Sequence, residues 1–245
     1  MKGIVLCGGL GTRLLPLTEV TNKHLLPVYN KPMVYYPIET LINAGIRDIG
    51  IVVSGNYSGE FVKLLKNGED FGLNKITYFY QKKPNGGIAD ALSVTKDFVG
   101  NDNVCVILGD NTSDINFSNE IRNFKHGCHL FFKQVDDPTK FGVPTLKDNK
   151  LIKITEKPKK PDSQYAVIGI YIYDKNVYNY IEQCSVSARN ELEISDVNNF
   201  YIKNQNKRSP VNYSFVEGFW QDAGDINNLF YANEYWFKKH NGKKE

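Results

Sequence analysis

Short runs rich in valine and isoleucine alternate with segments of helical period through the first half of the chain. No other feature restricts the fold as strongly. KGIVLC (2–7) is continuously apolar, as a central strand covered on both faces must be. A helix over PIETLINAG (37–45) follows, with proline near its start and glycine as its stop. Then come strand IGIVVSG (49–55), amphipathic helix SGEFVKLLKNG (58–68), strand KITYFYQ (75–81) and helix IADALSVTKDFV (88–99). Strand NVCVILGD (103–110), a helix near 117–125 and strand CHLFFKQV (128–135) complete the series. This alternation predicts an α/β fold: a Rossmann-like, doubly wound, mostly parallel sheet with right-handed crossovers. After Asp136 the pattern changes. GVPTLKDNKLIKITEKP (142–158) reads as a hairpin around an Asp-Asn-Lys turn, and YAVIGIYIYD (165–174) as a strand. A helix over about 193–204, strand VNYSFVEGFW (211–220) and a terminal helix from about Asp225 end the chain. The second half is thus expected to be an antiparallel annex completing the same sheet, with 1–245 forming one domain of two halves, 1–135 and 136–245.

A net charge of +3 over 245 residues is too small by itself to indicate nucleic-acid or membrane binding. No stretch approaches the ~20 apolar residues of a membrane span. The first apolar run is six residues long and passes straight into glycines, unlike a signal peptide. Cysteines 7, 105, 128 and 184 form no CxxC pair, and the first three lie in apolar runs. That usage suits a reduced, cytoplasmic protein without a disulfide framework. Histidines 24, 126, 129 and 240 show no metal-ligand spacing.

The segment after the first strand, LCGGLGTRLLPLTEVTNKHLLPV (6–28), combines three glycines with Arg13 and Lys23 and carries one acid. A loop at the carboxyl edge of a parallel sheet is where such folds bind ligands, and successive backbone N–H groups there can cradle phosphate oxygens. A bare glycine turn leaves the two cations unexplained. A dinucleotide site needs a third glycine where Leu14 stands and an acid closing the second strand, which here ends VVSGN. The ATP-binding GxxxxGK[ST] motif is missing as well. What remains is a nucleoside-triphosphate cradle built from G-G-x-G-T-R: Leu6, Gly8, Gly9, Gly11 and Thr12 beside the triphosphate, with Arg13 and Lys23 neutralising its charge.

Residues 1–49 resemble the amino terminus of the sugar-1-phosphate nucleotidylyltransferases, above all the thymidylyl-transferring branch. Later blocks match in order: VCVILGDN, DDPTKFGV, ITEKPKKP, YAVIGIYIYD, SARNELEISDVNN and WQDAG, so the resemblance spans essentially the whole chain. It implies transfer of a nucleotidyl group from dTTP or UTP to a sugar 1-phosphate, glucose 1-phosphate foremost, with Mg²⁺. Residues 1–135 would then bind nucleotide and 136–245 the sugar. It also implies association into a homo-oligomer. Longer members carry further carboxy-terminal helices that build an allosteric site and part of a tetramer contact. The sequence ends soon after WQDAG, which leaves feedback control and tetramer assembly open.

Asp110 in LGD and Asp222 in WQDAGD would each, taken alone, be turn formers. At neighbouring strand ends they would offer two hard oxygen ligands, which with phosphate oxygens suit Mg²⁺. The resemblance assigns them the same role. Asp225 is better placed as the cap of the last helix. Gln81, at the end of a strand, could pair with a pyrimidine edge. By resemblance Gln81 and either Gly86 or Gly87 grip the base, while Asp90 stands where the family more often has glutamine. Also by resemblance, Glu156 binds sugar hydroxyls, Lys157 and Arg189 hold the sugar phosphate, and Asn111, Gly142, Val167 and Tyr171 line the sugar pocket. Phe141 replaces the more usual tyrosine and Asn190 a usual glycine.

Overall fold

In a computed structural model of the chain, in which residues 1–242 are described, β1 (Lys2–Cys7) lies inside a nine-stranded sheet. Its side chains alternate between the two covering layers. Ile4 and Leu6 join one apolar cluster, and Val5 and Cys7 the other. β1 pairs in parallel with β4 (Asp48–Val53) on one side and β6 (Val104–Leu108) on the other, and β4 in turn with β5 (Lys75–Tyr80). Helices α1 (Tyr35–Asn43), α2 (Ser58–Leu65), α3 (Ile88–Ser93) and α4 (Lys96–Val99) connect these strands. Parallel neighbours need such crossovers, and the apolar layers are what the crossovers bury.

Beyond β6 the sheet turns antiparallel. β11 (Tyr165–Tyr173), apolar and buried along nearly all its length, pairs antiparallel with β6, with β8 (Cys128–Gln134) and with β9 (Gly142–Lys147). β10 (Lys150–Glu156) closes the hairpin with β9 through Asp148 and Asn149, both at positive φ (49° and 58°), as a two-residue hairpin turn demands. β12 (Val211–Phe215) adds in parallel to β8. The second half thus extends the first half's sheet. α7 (Ile194–Asn204) is clipped onto β10: the Asn199 amide donates to the Ile154 carbonyl and accepts from its N–H, each at 2.8 Å.

Several elements differ from their sequence expectation. The helix expected over 37–45 runs from Tyr35 to Asn43, and Gly45 follows it at φ +89°. The helix expected over 88–99 divides at Thr95, whose buried hydroxyl donates back to the Leu92 carbonyl at 2.7 Å and so competes with the helical ladder. α6 (Val177–Gln183) forms where no element was expected. The strand expected over 211–220 stops at Phe215. Trp220–Asp222 forms a separate strand, β13, which pairs antiparallel with β7 (Asn111–Ser113). Three-residue strands are too short to show a period. The remaining elements are the short strands β2 (Pro27–Val28) and β3 (Lys31–Pro32), α5 (Ser118–Asn123) and the terminal α8 (Ile226–Asn241). Asp225 caps α8, accepting from the Asn228 N–H at 2.9 Å.

Candidate active site

A cleft of about 390 Å³ opens at the carboxyl edge of β1, β5 and β6 and runs to the β9–β10 hairpin and α7. At one end the 8–13 loop turns through Gly9 and Gly11, both at positive φ. The Gly9 N–H donates to Ser54 Oγ at 3.1 Å and Thr18 Oγ1 to the Gly11 carbonyl at 2.9 Å, which ties the loop down. Arg13 stands in a single helical turn, Thr12–Leu14, anchored by fully buried Leu14.

The strand pair β7–β13 brings the two aspartates together. Asp222 lies opposite Asn111, and the Ala223 N–H donates to the Asp110 carbonyl at 2.9 Å. Gly224 marks the meeting point. A Cβ there would lie 2.7 Å from Asp222 Oδ1, 2.9 Å from Arg13 Nη2 and 3.2 Å from Asp110 Oδ2. Lys23 Nζ reaches the same Asp110 Oδ2 at 2.5 Å. The other oxygen, Asp110 Oδ1, accepts from Asn111 Nδ2 at 3.1 Å, and Asn111 Oδ1 accepts from Trp220 Nε1 at 2.7 Å.

The electrostatics follow from this crowding. Burial pushes the Asp110 carboxyl up, but the Lys23 ammonium outweighs burial and holds it well below the usual range. Lys23 in turn is held above its ordinary value: burial acts against its charge, while Asp110 and then Asp222 favour it. Among the described residues, no ammonium pairs with the Asp222 oxygens. Burial and then repulsion from Asp110 push it up to about 6. His24 is pushed down to about 3 by burial and by Lys23. Asn22 Oδ1 accepts from both the His24 backbone N–H (2.9 Å) and Nδ1 (2.7 Å), so the neutral ring carries its hydrogen on Nδ1.

Two carboxylates converging on a cradle that a glycine leaves open, one of them strained by like charge, fit a hard divalent cation with phosphate oxygens to complete its shell. No third His, Cys, Asp or Glu joins them among the described residues.

At the far end Glu156, closing β10, accepts from Ser195 Oγ at 2.5 Å and pairs with Arg189 Nη2 at 3.2 Å. Lys157 Nζ stands 3.9 Å from Glu156 Oε1, and Lys157 itself is at φ +42°. Arg189 is held chiefly by Glu193, through Nε at 3.0 Å and Nη2 at 2.6 Å. Between the two ends, Gln81 and Gly87 line the cleft with Leu6, Gly8 and Gly9. Asn111, Gly142, Val167 and Tyr171 line it as well. Of the residues singled out from sequence, Gly11, Thr12, Gly86 and Arg189 stand back from the cleft lining. His24, Lys140, Ser195, Asn198 and Trp220 line it without having been singled out. Ser195 and Asn198 sit one turn apart on α7 among apolar neighbours, a pattern that says helix rather than site.

A family model described as "Nucleotidyl transferase" matches residues 2–239. The chain belongs to the nucleotidyl transferase family. Relatives agree along nearly its whole length. A glucose-1-phosphate thymidylyltransferase of Neisseria meningitidis serogroup A is 42% identical over 238 residues, 95% of this chain and 81% of its own. One of Mycolicibacterium smegmatis is 41% identical over 239 residues, 96% of this chain and 82% of its own. A crystal structure from Bacillus anthracis, provisionally described as a glucose-1-phosphate thymidylyltransferase in complex with sucrose, superposes with a TM-score of 0.88 at 46% identity. It covers 96% of this chain and 94% of that one. A UDP-glucose pyrophosphorylase complexed with UDP-glucose shares the fold, with a TM-score of 0.81 at 22% identity, over 97% of this chain and 98% of its own. The chain is therefore a nucleotidyltransferase of this family, built on the family's α/β sheet.

Proposed function

We propose that the chain transfers a thymidylyl group from dTTP to glucose 1-phosphate, giving dTDP-glucose and pyrophosphate, with Mg²⁺ held by Asp110 and Asp222. The observation that carries this reading is the convergence of Arg13, Lys23, Asp110 and Asp222 around Gly224 at one end of a single cleft, with Glu156 and Lys157 at the other. Relatives of 41–42% identity that bear the thymidylyltransferase name supply the substrates.

A sugar phosphate is a dianion near neutral pH, its second pKa being ~6, so its oxygen needs no general base. The cleft agrees: His24 is held neutral with Nδ1 engaged, and Lys23 is held charged. The reaction is then a direct in-line attack on the α-phosphorus, helped by positioning and charge neutralisation. Arg13 stabilises charge gathering on the departing pyrophosphate. Lys23, already fixed by Asp110, faces the phosphate under attack. Mg²⁺, when bound, supplies Lewis-acid stabilisation at that phosphate. Gln81 and Gly87, which lines the cleft where Gly86 does not, orient the base. Glu156, fixed by Ser195, accepts from sugar hydroxyls, while Lys157 holds the sugar phosphate and Arg189, standing back from the cleft lining, orients Glu156.

A matrix of nucleoside triphosphates against sugar 1-phosphates, with and without Mg²⁺, read by pyrophosphate release, tests the proposal. Release is expected to be largest with dTTP and glucose 1-phosphate and to vanish without the metal. Higher turnover with UTP would replace the nucleotide, and no release in any combination would overturn the reading.

A further inference from the structure

Gln81 is 2% exposed, and one side of its amide is fully committed. Nε2 donates to Asp90 Oδ2 at 2.8 Å and to the Gly87 carbonyl at 3.3 Å, which uses both of its hydrogens. Both partners are oxygen acceptors, so turning the amide over would set Oε1 against two oxygens. Oε1 has no donor among the described residues and is directed at Gly8, where a Cβ would lie 2.5 Å from it. Gly8 and Gln81 both line the cleft. Towards a bound base, Gln81 therefore offers an acceptor.

We infer that Asp90 is a positioning residue for base selection. By holding Gln81 Nε2, it makes the site choose a base whose ring carries an N–H over one whose ring nitrogen is bare. Thymine, uracil and guanine present such a hydrogen; cytosine and adenine present a lone pair, which would face the Oε1 lone pairs. An amide free to turn would serve either kind. The inference rests on reading the cleft as a nucleoside-triphosphate site, but not on which base that reading names.

The test is equilibrium binding of dTTP, dCTP, GTP and ATP, each with Mg²⁺, to the full chain as wild type, D90N and D90E, with melting temperatures measured alongside. Wild type should bind dTTP at least about tenfold tighter than dCTP, the worth of one hydrogen bond between matched and mismatched partners. In D90N the residue at 90 can donate as well as accept, and the dTTP-to-dCTP ratio should fall about tenfold. D90E keeps a carboxylate and should keep the ratio. A role in α3 stability alone would lower the melting temperature and leave the ratio unmoved. If D90N shows no melting transition, the ratio is read in D90S, which also lacks the carboxylate. An unchanged ratio in a folded D90N or D90S overturns the inference and leaves the proposed reaction standing. Wild type that prefers GTP to ATP and ignores dTTP overturns the thymidylyl reading and leaves the inference standing. Wild type that prefers dCTP to dTTP overturns the inference itself.

Discussion

At one end of the cleft Lys23 and Asp110, 87 positions apart in sequence, form an ion pair whose side chains are only 13% and 9% exposed. Behind the other end, back from the cleft lining, Arg189 and Glu193 stand four positions apart, with side chains 34% and 9% exposed. The first arrangement exists only when β1, β6 and the β7–β13 pair are all in place, and its charges have been taken out of water at a cost that geometry must offset. The second is a local pair whose guanidinium keeps partial contact with water, while its carboxylate is as buried as that of Asp110. Fixed charge suits the stabilisation of a phosphate transition state, since the groups need not reorganise during the reaction. The long-range pair needs distant strands brought together, whereas the local pair is set by four residues of chain.

Four substitutions break or sharpen that contrast. The largest effect is expected from Asp110→Asn, which keeps the shape of the side chain but removes the charge that pairs with Lys23 and would hold the proposed Mg²⁺. Turnover should fall on the order of 10²–10³ with the fold retained, as pyrophosphate release and circular dichroism would report. Asp222→Asn should also remove activity, yet stabilise the metal-free protein. Its carboxyl is pushed up from 3.8 to about 6, so the folded state holds that proton more tightly than the unfolded state. The resulting destabilisation grows as pH rises from about 4 to 6 and is complete above 6. Asn should therefore add roughly 2 kcal/mol at pH 8 and almost nothing near pH 4, measured by urea unfolding at both. Equal effects at the two pH values would contradict the account.

At the proposed sugar end, Glu156→Gln should raise KM for glucose 1-phosphate about tenfold, near 1.4 kcal/mol, and leave kcat within about threefold. A loss confined to kcat would erase the distinction between the two ends. The smallest effect belongs to a pair outside the cleft. Lys66 and Asp70 form an exposed pair at 2.9 Å, and Lys66→Ala should leave the thermal unfolding midpoint essentially unchanged.

Much of the frame was legible because it repeats. The apolar run 2–7 coincides with β1, and the βαβ alternation specified the parallel core before any contact was known. The glycine loop was legible through composition, since Gly9 and Gly11 occupy positive φ where side chains are rarely tolerated. The junction of Asp110 with Asp222 was visible only as an expectation about strand ends. It is made by two three-residue strands, one of which had been read as the tail of a longer strand. The grip of Ser195 on Glu156 had no sequence signal, because the two residues meet only when α7 packs on β10. Periodicity reports elements, whereas sites lie where elements cross.

The most direct test of the central claim is the division of loss between kcat and KM in Arg13→Ala. Arg13 is exposed and bears little of the core, so the variant should fold. With Mg²⁺ and saturating dTTP and glucose 1-phosphate, kcat is predicted to fall on the order of 10², with KM for glucose 1-phosphate changed less than about threefold. An unchanged kcat, with the whole loss in KM, would contradict the assignment of chemistry to the buried-charge end.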